Sequence, residues 1–210
     1  MDDRNIKMKH IKNILLFSCP LFIYKLDIKE DLTLKFNKIK DLTESHDEKP
    51  RGAESNLMSV DMDILSKFKN LKKEIHKAIY TTLKDILKLR NTQYRICNSW
   101  LTKTKPNQFS TSHTHKNSWF SGVYYPKGDP NFSIRFYNDF GSPFFIPPIE
   151  YNIYNSTEWT ICPEDNYLIL FYSQLRHKIM PNKGSIDRYS IAFNVLPKGE
   201  IGLGDTKIVF

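Results

Sequence analysis

The sequence predicts a mainly β domain, a jelly roll with N-terminal helices packed on its outside. Three observations predict it. After Arg90 the apolar period changes from about 3.6 residues to about 2, the switch from helix to strand. Six short runs rich in aromatic and β-branched residues then follow at close intervals, the pattern of a sandwich or barrel-like pair of sheets. Finally, 210 residues with 40% hydrophobic and 26% charged content make one globular domain, large enough to bury a core without staples. The expected division within the single domain 1–210 is a helical, lysine-rich part (1–92) and a jelly-roll core (93–210).

Arg4, Lys7, Lys9 and Lys12 precede "ILLFSCPLFIY", which imitates the basic and apolar regions of a signal peptide. Pro20 interrupts the run, "KLDIKED" follows without a small-residue cleavage site, and the run is too short to span a bilayer. It reads as a buried first strand of a soluble, cytoplasmic protein. Residues 29–42 place Leu32, Leu34, Phe36, Ile39 and Leu42 among charges, as a helix does, and the polar segment "TESHDEKPRGAESN" reads as a loop. Ile64, Phe68, Leu71, Ile75, Ile79, Leu83 and Ile86 then recur every three or four residues between lysines. That is an amphipathic helix of about seven turns, with Asp61 or Asp63 as N-cap. His76 lies beside its apolar stripe, as a surface or boundary histidine.

The expected strands are "YRICNSWL", "WFSGVYY", "FSIRFYN", "WTIC", "YLILFYS" and "YSIAFNV". Between them stand "KTKPNQ", "PKGDPN", "DFGSPFFIPP", "CPEDN" and "MPNKGSID", all turn chemistry. The net charge of +8 lies entirely in residues 1–105, which hold 22 Lys/Arg against 14 Asp/Glu. Residues 106–210 hold 9 against 9. A lysine-rich helical surface is a candidate for nucleic-acid association, but with no arginine cluster or recognition motif a solvated face explains it better. Cys19, Cys97 and Cys162 are odd in number and lack CxxC spacing, which fits a reducing compartment and argues against disulfides or a thiolate zinc site.

Candidate chemistry lies in the β half. His113 and His115 are i and i+2, so in extended chain they share a face, with Thr114 turned away. His177 stands at the end of the strand "LILFYSQLRHKIMP"; if that strand returns beside the first, three imidazoles converge across a barrel mouth. Such nitrogen ligation suits Fe, Zn, Cu or Ni, although HxH pairs also arise by chance. In "DRYSIAFNV", Arg188, Ser190, Ala192 and Asn194 share one strand face, and Tyr189, Ile191 and Phe193 the other. An arginine inside a β barrel requires an anionic partner, and its planar fork suits a carboxylate. An exposed arginine at a strand start is the alternative. Trp119 and Phe120 read as core rather than as site walls.

Taken in order, Trp100, "HTH", "SGVYYP", "PEDNYLILFYSQLRHKIMPN" and "RYSIAFN" resemble the iron(II)/2-oxoglutarate-dependent oxygenases. The similarity is to a family from bacteria and phages related to the prolyl-hydroxylase-like dioxygenases. "LFSCPLFIYKLD" and "ESNLMSVDMDIL" extend the likeness over nearly the whole chain. The resemblance implies a double-stranded β-helix holding Fe(II), with 2-oxoglutarate and O2 as cosubstrates and hydroxylation of a C–H bond as the reaction. It implies His113 and His177 as metal ligands and Arg188 as partner of the far carboxylate of 2-oxoglutarate. Ser190 and Tyr125 would also reach that carboxylate, and Tyr124 would point to the outer layer. If the chain is viral, its location would be the host cytoplasm.

The departure from the family's pattern is His115, which stands where most relatives have Asp or Glu. It completes a three-histidine site, or stands off so that water fills the position, or the register shifts to pair His115 with Asn117. "PEDNY" also departs, where many relatives have glycine; Asn166 tolerates positive φ. Two rivals stay open, a cupin-like three-histidine metalloenzyme that does not use 2-oxoglutarate, and a non-catalytic jelly-roll binding or structural module. The chain carries no motif that names a substrate or an oligomeric state.

Overall fold

A computed structural model describes residues 12, 18–44, 56–139 and 146–210. Residues 14–17 of the expected first strand, most of the polar loop and part of "DFGSPFFIPP" lie outside the described residues.

Strand β1 (Phe22–Lys25) is followed by helix α1 (Leu32–Phe36), β2 (Leu42–Glu44), β3 (Leu57–Ser59) and helix α2 (Lys69–Thr81). The long strand β4 (Tyr94–Thr104), β5 (Phe120–Tyr125), β6 (Ile134–Tyr137), β7 (Glu158–Ile161) and β8 (Tyr167–Tyr172) come next. Then follow β9 (His177–Ile179), β10 (Arg188–Pro197), and a terminal hairpin of β11 (Glu200–Ile201) and β12 (Ile208–Val209). Seven strands form one antiparallel sheet in the order β1-β8-β5-β10-β4-β3-β2, and three form a second, β7-β6-β9. Residues 108–113 run along the open side of β9. The Ser110 N–H donates to the Ile179 carbonyl at 3.2 Å, and His113 and His177 exchange both main-chain bonds at 2.9 and 3.0 Å. The two sheets make the expected jelly roll.

Strand β5 is buried along its whole length because both its faces are covered. Val123 and Tyr125 point into the space between the sheets, with Ile134, Phe136, Ile169, Phe171 and Ile179. Phe120 and Tyr124 point the other way, into a larger core that α1 and α2 close from outside with Leu32, Phe36, Leu71, Ile75 and Ile79. Tyr124 thus takes the outer layer, where its hydroxyl donates to Asn166 Oδ1 at 2.6 Å. Asn166 sits at φ +62, the left-handed conformation expected of it.

The helical expectations need correction. The 29–42 segment is helical only over five residues, capped by Asp31, whose Oδ1 accepts from the Thr33 N–H at 2.9 Å; Leu42 already begins β2. The seven-turn helix is three segments. A 3-10 turn spans Ile64–Lys67, Phe68 leaves the helical region (φ −124, ψ 70), α2 follows, and Thr82–Ile86 is a π turn. The break has a packing cause, since Phe68 sets its ring edge-on to Phe36 at 5.0 Å and the Leu65 N–H donates to Ser99 Oγ. Thr82 is tied to the Ala78 carbonyl and to Tyr24, and the Leu87 N–H reaches back five residues to the Thr82 carbonyl. Apolar periodicity survives all three segments, so the sequence pattern could not reveal the breaks. Asp63 flanks the first turn without a side-chain cap, and Asp61 accepts from the Asp63 N–H instead. Beside the expected first strand, β1, the N-terminal part adds the short strands β2 and β3 to the main sheet.

Among the described residues no helix is long and apolar enough to cross a membrane. Cys19, Cys97 and Cys162 are free and exposed.

At Gly122 the main sheet has no room for a side chain. A Cβ there would stand 2.2 Å from Phe193 Cζ and 2.8 Å from Leu170 Cδ2. Both rings and chains are core, so Gly122→Ala should destabilise the protein by about 1–3 kcal/mol, read as a lower urea midpoint at unchanged m-value.

Candidate metal centre

The chain leaves β4 through Asn107 (φ +67) and crosses from the main sheet to the second. It pairs with β9 as far as His113, then crosses back, with the His115 N–H donating to the Ser173 carbonyl at the end of β8. Asn117 (φ +56) turns it into β5. The two histidines therefore sit at a crossover between the sheets. His177 differs from the sequence reading. β8 ends at Tyr172, a turn follows, and His177 opens β9 in the opposite sheet.

The imidazole ligand atoms of His113, His115 and His177 all lie within 4.8 Å of one another. Ring centroids are 4.4 Å apart for His113 and His177, and 5.2 Å for each pair with His115. The Nδ1–H of His113 donates to the Thr111 carbonyl at 2.9 Å, and that of His177 to the Leu175 carbonyl at 3.0 Å. Both bonds fix the tautomer that leaves Nε2 as the lone-pair donor, the orienting device of histidine ligands. The His115 ring stacks on Trp100 at 5.8 Å and 23°. Asn117, the partner of His115 in the shifted register, is exposed in the turn and is not among the residues that line the cavity beside the histidines.

His177 is 4% exposed, and burial, reinforced by the neighbouring His113, pushes its imidazole down to about 3. An imidazole in the unfolded chain titrates near 6.5. Between these values the unfolded chain binds the extra proton, so stability rises with pH across the window. The metal-free protein should hold this contribution above about 6.5 and lose it as the pH falls towards 3. A His177→Gln variant should show a shallower acid loss of urea midpoint over the same range.

A cavity of about 370 Å³ opens beside the three histidines. Ser190, Ala192 and Asn194 line it from β10, on the face opposite Tyr189, Ile191 and Phe193, which join the outer core. Trp119 and Phe120 belong to that outer core and do not wall the cavity. Among the described residues no Asp or Glu lines it.

Arg188 and Tyr125 are 1% and 0% exposed and are not on the open cavity wall. Val123, Ile134, Phe171 and Ile179 both line the cavity and pack around Tyr125. Arg188 Nη2 donates to Thr104 Oγ1 at 3.1 Å, and the guanidinium lies 5.7 Å from the Phe132 ring. Among the described residues its Nε and Nη1 have no partner, nor has the Tyr125 hydroxyl. Burial pulls Arg188 below its ordinary range and pushes Tyr125 up to about 12, while Arg188 draws the phenol the other way. A buried guanidinium with two unpaired donor groups and no carboxylate costs several kcal/mol. The chemistry of this donor set fits a carboxylate, and three imidazoles fit a transition-metal ion.

Thr104 and Phe132 were not visible as site residues in the sequence. "KTKP" looked like turn, yet β4 runs through Thr104. Strand alternation from Trp100 through Thr102 to Thr104 was the available signal.

Residues 98–194 match a family model described as "Putative 2OG-Fe(II) oxygenase". A sequence search among curated proteins finds no match. Among solved structures, the fold is similar to a prolyl-4-hydroxylase from Pseudomonas putida (13% identity, TM-score 0.53, 84% of this chain and 92% of that one). It is also similar to a Trichoplax adhaerens prolyl hydroxylase in complex with a hypoxia inducible factor peptide fragment (11%, 0.58, 84% and 83%). A third is HygX from Streptomyces hygroscopicus with nickel, 2-oxoglutarate and hygromycin B bound (11%, 0.55, 85% and 83%).

Proposed function

We infer that this chain, whose residues 98–194 match a 2OG-Fe(II) oxygenase family model, is an iron(II)- and 2-oxoglutarate-dependent oxygenase acting through His113, His115 and His177. Bound iron and 2-oxoglutarate supply the oxidising chemistry, in which O2 is consumed, 2-oxoglutarate becomes succinate and CO2, and a substrate C–H bond is hydroxylated.

The protein's part is positioning and exclusion of water. The Thr111 and Leu175 carbonyls hold His113 and His177 with Nε2 towards the shared centre. His115 in place of a carboxylate leaves the site one negative charge poorer, which should raise the metal potential and weaken Fe(II) binding relative to a two-histidine, one-carboxylate site. Arg188 offers Nε and Nη1 to the distal carboxylate of 2-oxoglutarate, held in aim by Thr104. Tyr125 remains protonated at neutral pH and so donates to the same carboxylate. Ser190, two residues along the same strand face, is the further hydroxyl on that side. Val123, Ile134, Phe171 and Ile179 keep this end dry.

The observation that carries the reading is the buried, unpaired donor set of Arg188 and Tyr125. A three-histidine metalloenzyme that dispenses with 2-oxoglutarate leaves that cation without a counter-ion. The exposed free cysteines support a cytoplasmic location. The lysines of α2 lie across the main sheet from the cavity, and we assign them no part in the reaction.

The test is release of labelled CO2 from carboxyl-labelled 2-oxoglutarate by the purified protein. Release should require Fe(II) and O2 and stop on chelation. Metal-replete protein that releases none, with or without a substrate panel, would sink the reading.

A further inference from the structure

The register of the main sheet orders the cavity face into rows. Along β10, Arg188 pairs with Thr104, Ser190 with Thr102, Ala192 with Trp100 and Asn194 with Asn98 on β4. On the other side, Ala192 faces Val123 and Asn194 faces Ser121 on β5, while Ser121 faces Phe171 on β8. From Arg188 to Asn194 is about 20 Å of strand. His115 stacks over Trp100, so the metal cluster stands above the middle of this series. Arg188, the proposed cosubstrate end, lies to one side of it. The Asn98, Asn194 and Ser121 row lies to the other, the side left for the substrate.

That row is built for hydrogen bonding. The Ser121 hydroxyl donates to Asn194 Oδ1 at 2.8 Å, and Ser173 Oγ lies 2.9 Å from Ser121 Oγ and donates to it. With its oxygen engaged, Asn194 is oriented to offer amide N–H groups. Asn98, its neighbour on the cavity wall, has an enclosed Oδ1 with no partner among the described residues. An acceptor left unsatisfied in this way costs about 1–3 kcal/mol. One carboxamide thus offers donors beside another that lacks one. Met62, whose carbonyl accepts from the Ser99 N–H at 2.7 Å, gives this end of the cavity an apolar flank, Trp100 walls its middle, and Lys116 is the one Lys, Arg, Asp or Glu among the described lining residues.

We propose that the Asn98–Asn194 pair is the substrate subsite, and that it takes the amide group of an uncharged, peptide-like substrate carrying an apolar side chain. The substrate N–H meets Asn98 Oδ1, and the substrate carbonyl accepts from Asn194. Multiply charged substrates such as nucleotides find no cluster of cations here. This rests on the oxygenase reading for the direction in which the substrate faces the metal.

The experiment screens the metal-free protein by ligand-observed NMR against N-acetyl amino-acid N-methylamides, neutral sugars and nucleotides. The Fe(II)- and 2-oxoglutarate-loaded protein is then assayed for stimulated CO2 release by the same panel. Blocked amides with apolar side chains should bind and should stimulate release at least fivefold. Asn98→Leu, similar in size but without polar atoms, should weaken amide binding tenfold or more, and Asn98→Gln should recover part of it. Formation of the visible Fe(II)–2-oxoglutarate band checks that each variant still assembles the centre. Amides that fail to bind, sugars or nucleotides that bind instead, or an Asn98→Leu protein of unchanged amide affinity would overturn the proposal. Failure of the wild-type band would instead strike the oxygenase reading, and the NMR arm stands apart from it.

Discussion

Replacing Arg188 by methionine should cut 2-oxoglutarate affinity by a factor of about 100 or more, while the ligand-free protein becomes more stable. Both halves come from one fact. The guanidinium is buried and, among the described residues, meets Thr104 and the ring face of Phe132 and keeps Nε and Nη1 unpaired. Removing one partner of a buried, hydrogen-bonded charge pair costs about 3–5 kcal/mol, which in affinity is two to three and a half powers of ten. In the empty protein that pair does not exist. A methionine of similar length removes an uncompensated cation, and hydrophobic replacement of buried charge is often neutral or stabilising by up to about 4 kcal/mol. Arg188→Lys should recover little affinity, because a point charge lacks the planar fork. Thermal midpoints with and without 2-oxoglutarate check both signs at once. A variant that loses stability equally in both conditions would mark Arg188 as structural.

His177→Ala should abolish metal binding and turnover. Loss of a partner that merely orients a ligand costs about 10–100-fold, so loss of the ligand itself should exceed about 100-fold. His177 is the most buried of the three, with Phe136 and Phe171 rings at 6.0 and 4.8 Å and Nδ1–H on the Leu175 carbonyl. His177→Gln keeps most of that volume and separates ligand loss from packing loss. Equilibrium dialysis of Fe(II), followed by metal analysis, measures the effect, and metal retained at wild-type affinity would remove His177 from the centre.

The β half was legible because strand alternation is a local signal. The faces of β10 could be assigned from "RYSIAFNV" alone, with Ser190, Ala192 and Asn194 on the cavity and Tyr189, Ile191 and Phe193 in the outer core. The convergence of His113, His115 and His177 was legible only as a condition on topology. What the sequence concealed were the places where tertiary contacts override period. β8 and β9 read as one run because Leu175 and Ile179 continue the apolar pattern across a turn that switches sheets. The π turn after α2 keeps its apolar period while changing its hydrogen bonds. β2 and β3 are three residues each, too short for alternation to register. Asn98 looked like an ordinary strand residue, since its place opposite Asn194 comes from a register no single strand encodes.

His115 carries the part of this account that differs from a two-histidine, one-carboxylate centre. The most direct test is anaerobic titration of Fe(II) into metal-free protein containing 2-oxoglutarate, followed by the visible metal-to-ligand charge-transfer band. The band should grow to saturation at one equivalent of iron in the wild type, and it should be lost or strongly shifted in His115→Ala. A band of unchanged position and affinity in His115→Ala, or no band in wild-type protein shown to hold iron, would contradict a three-histidine centre that binds 2-oxoglutarate.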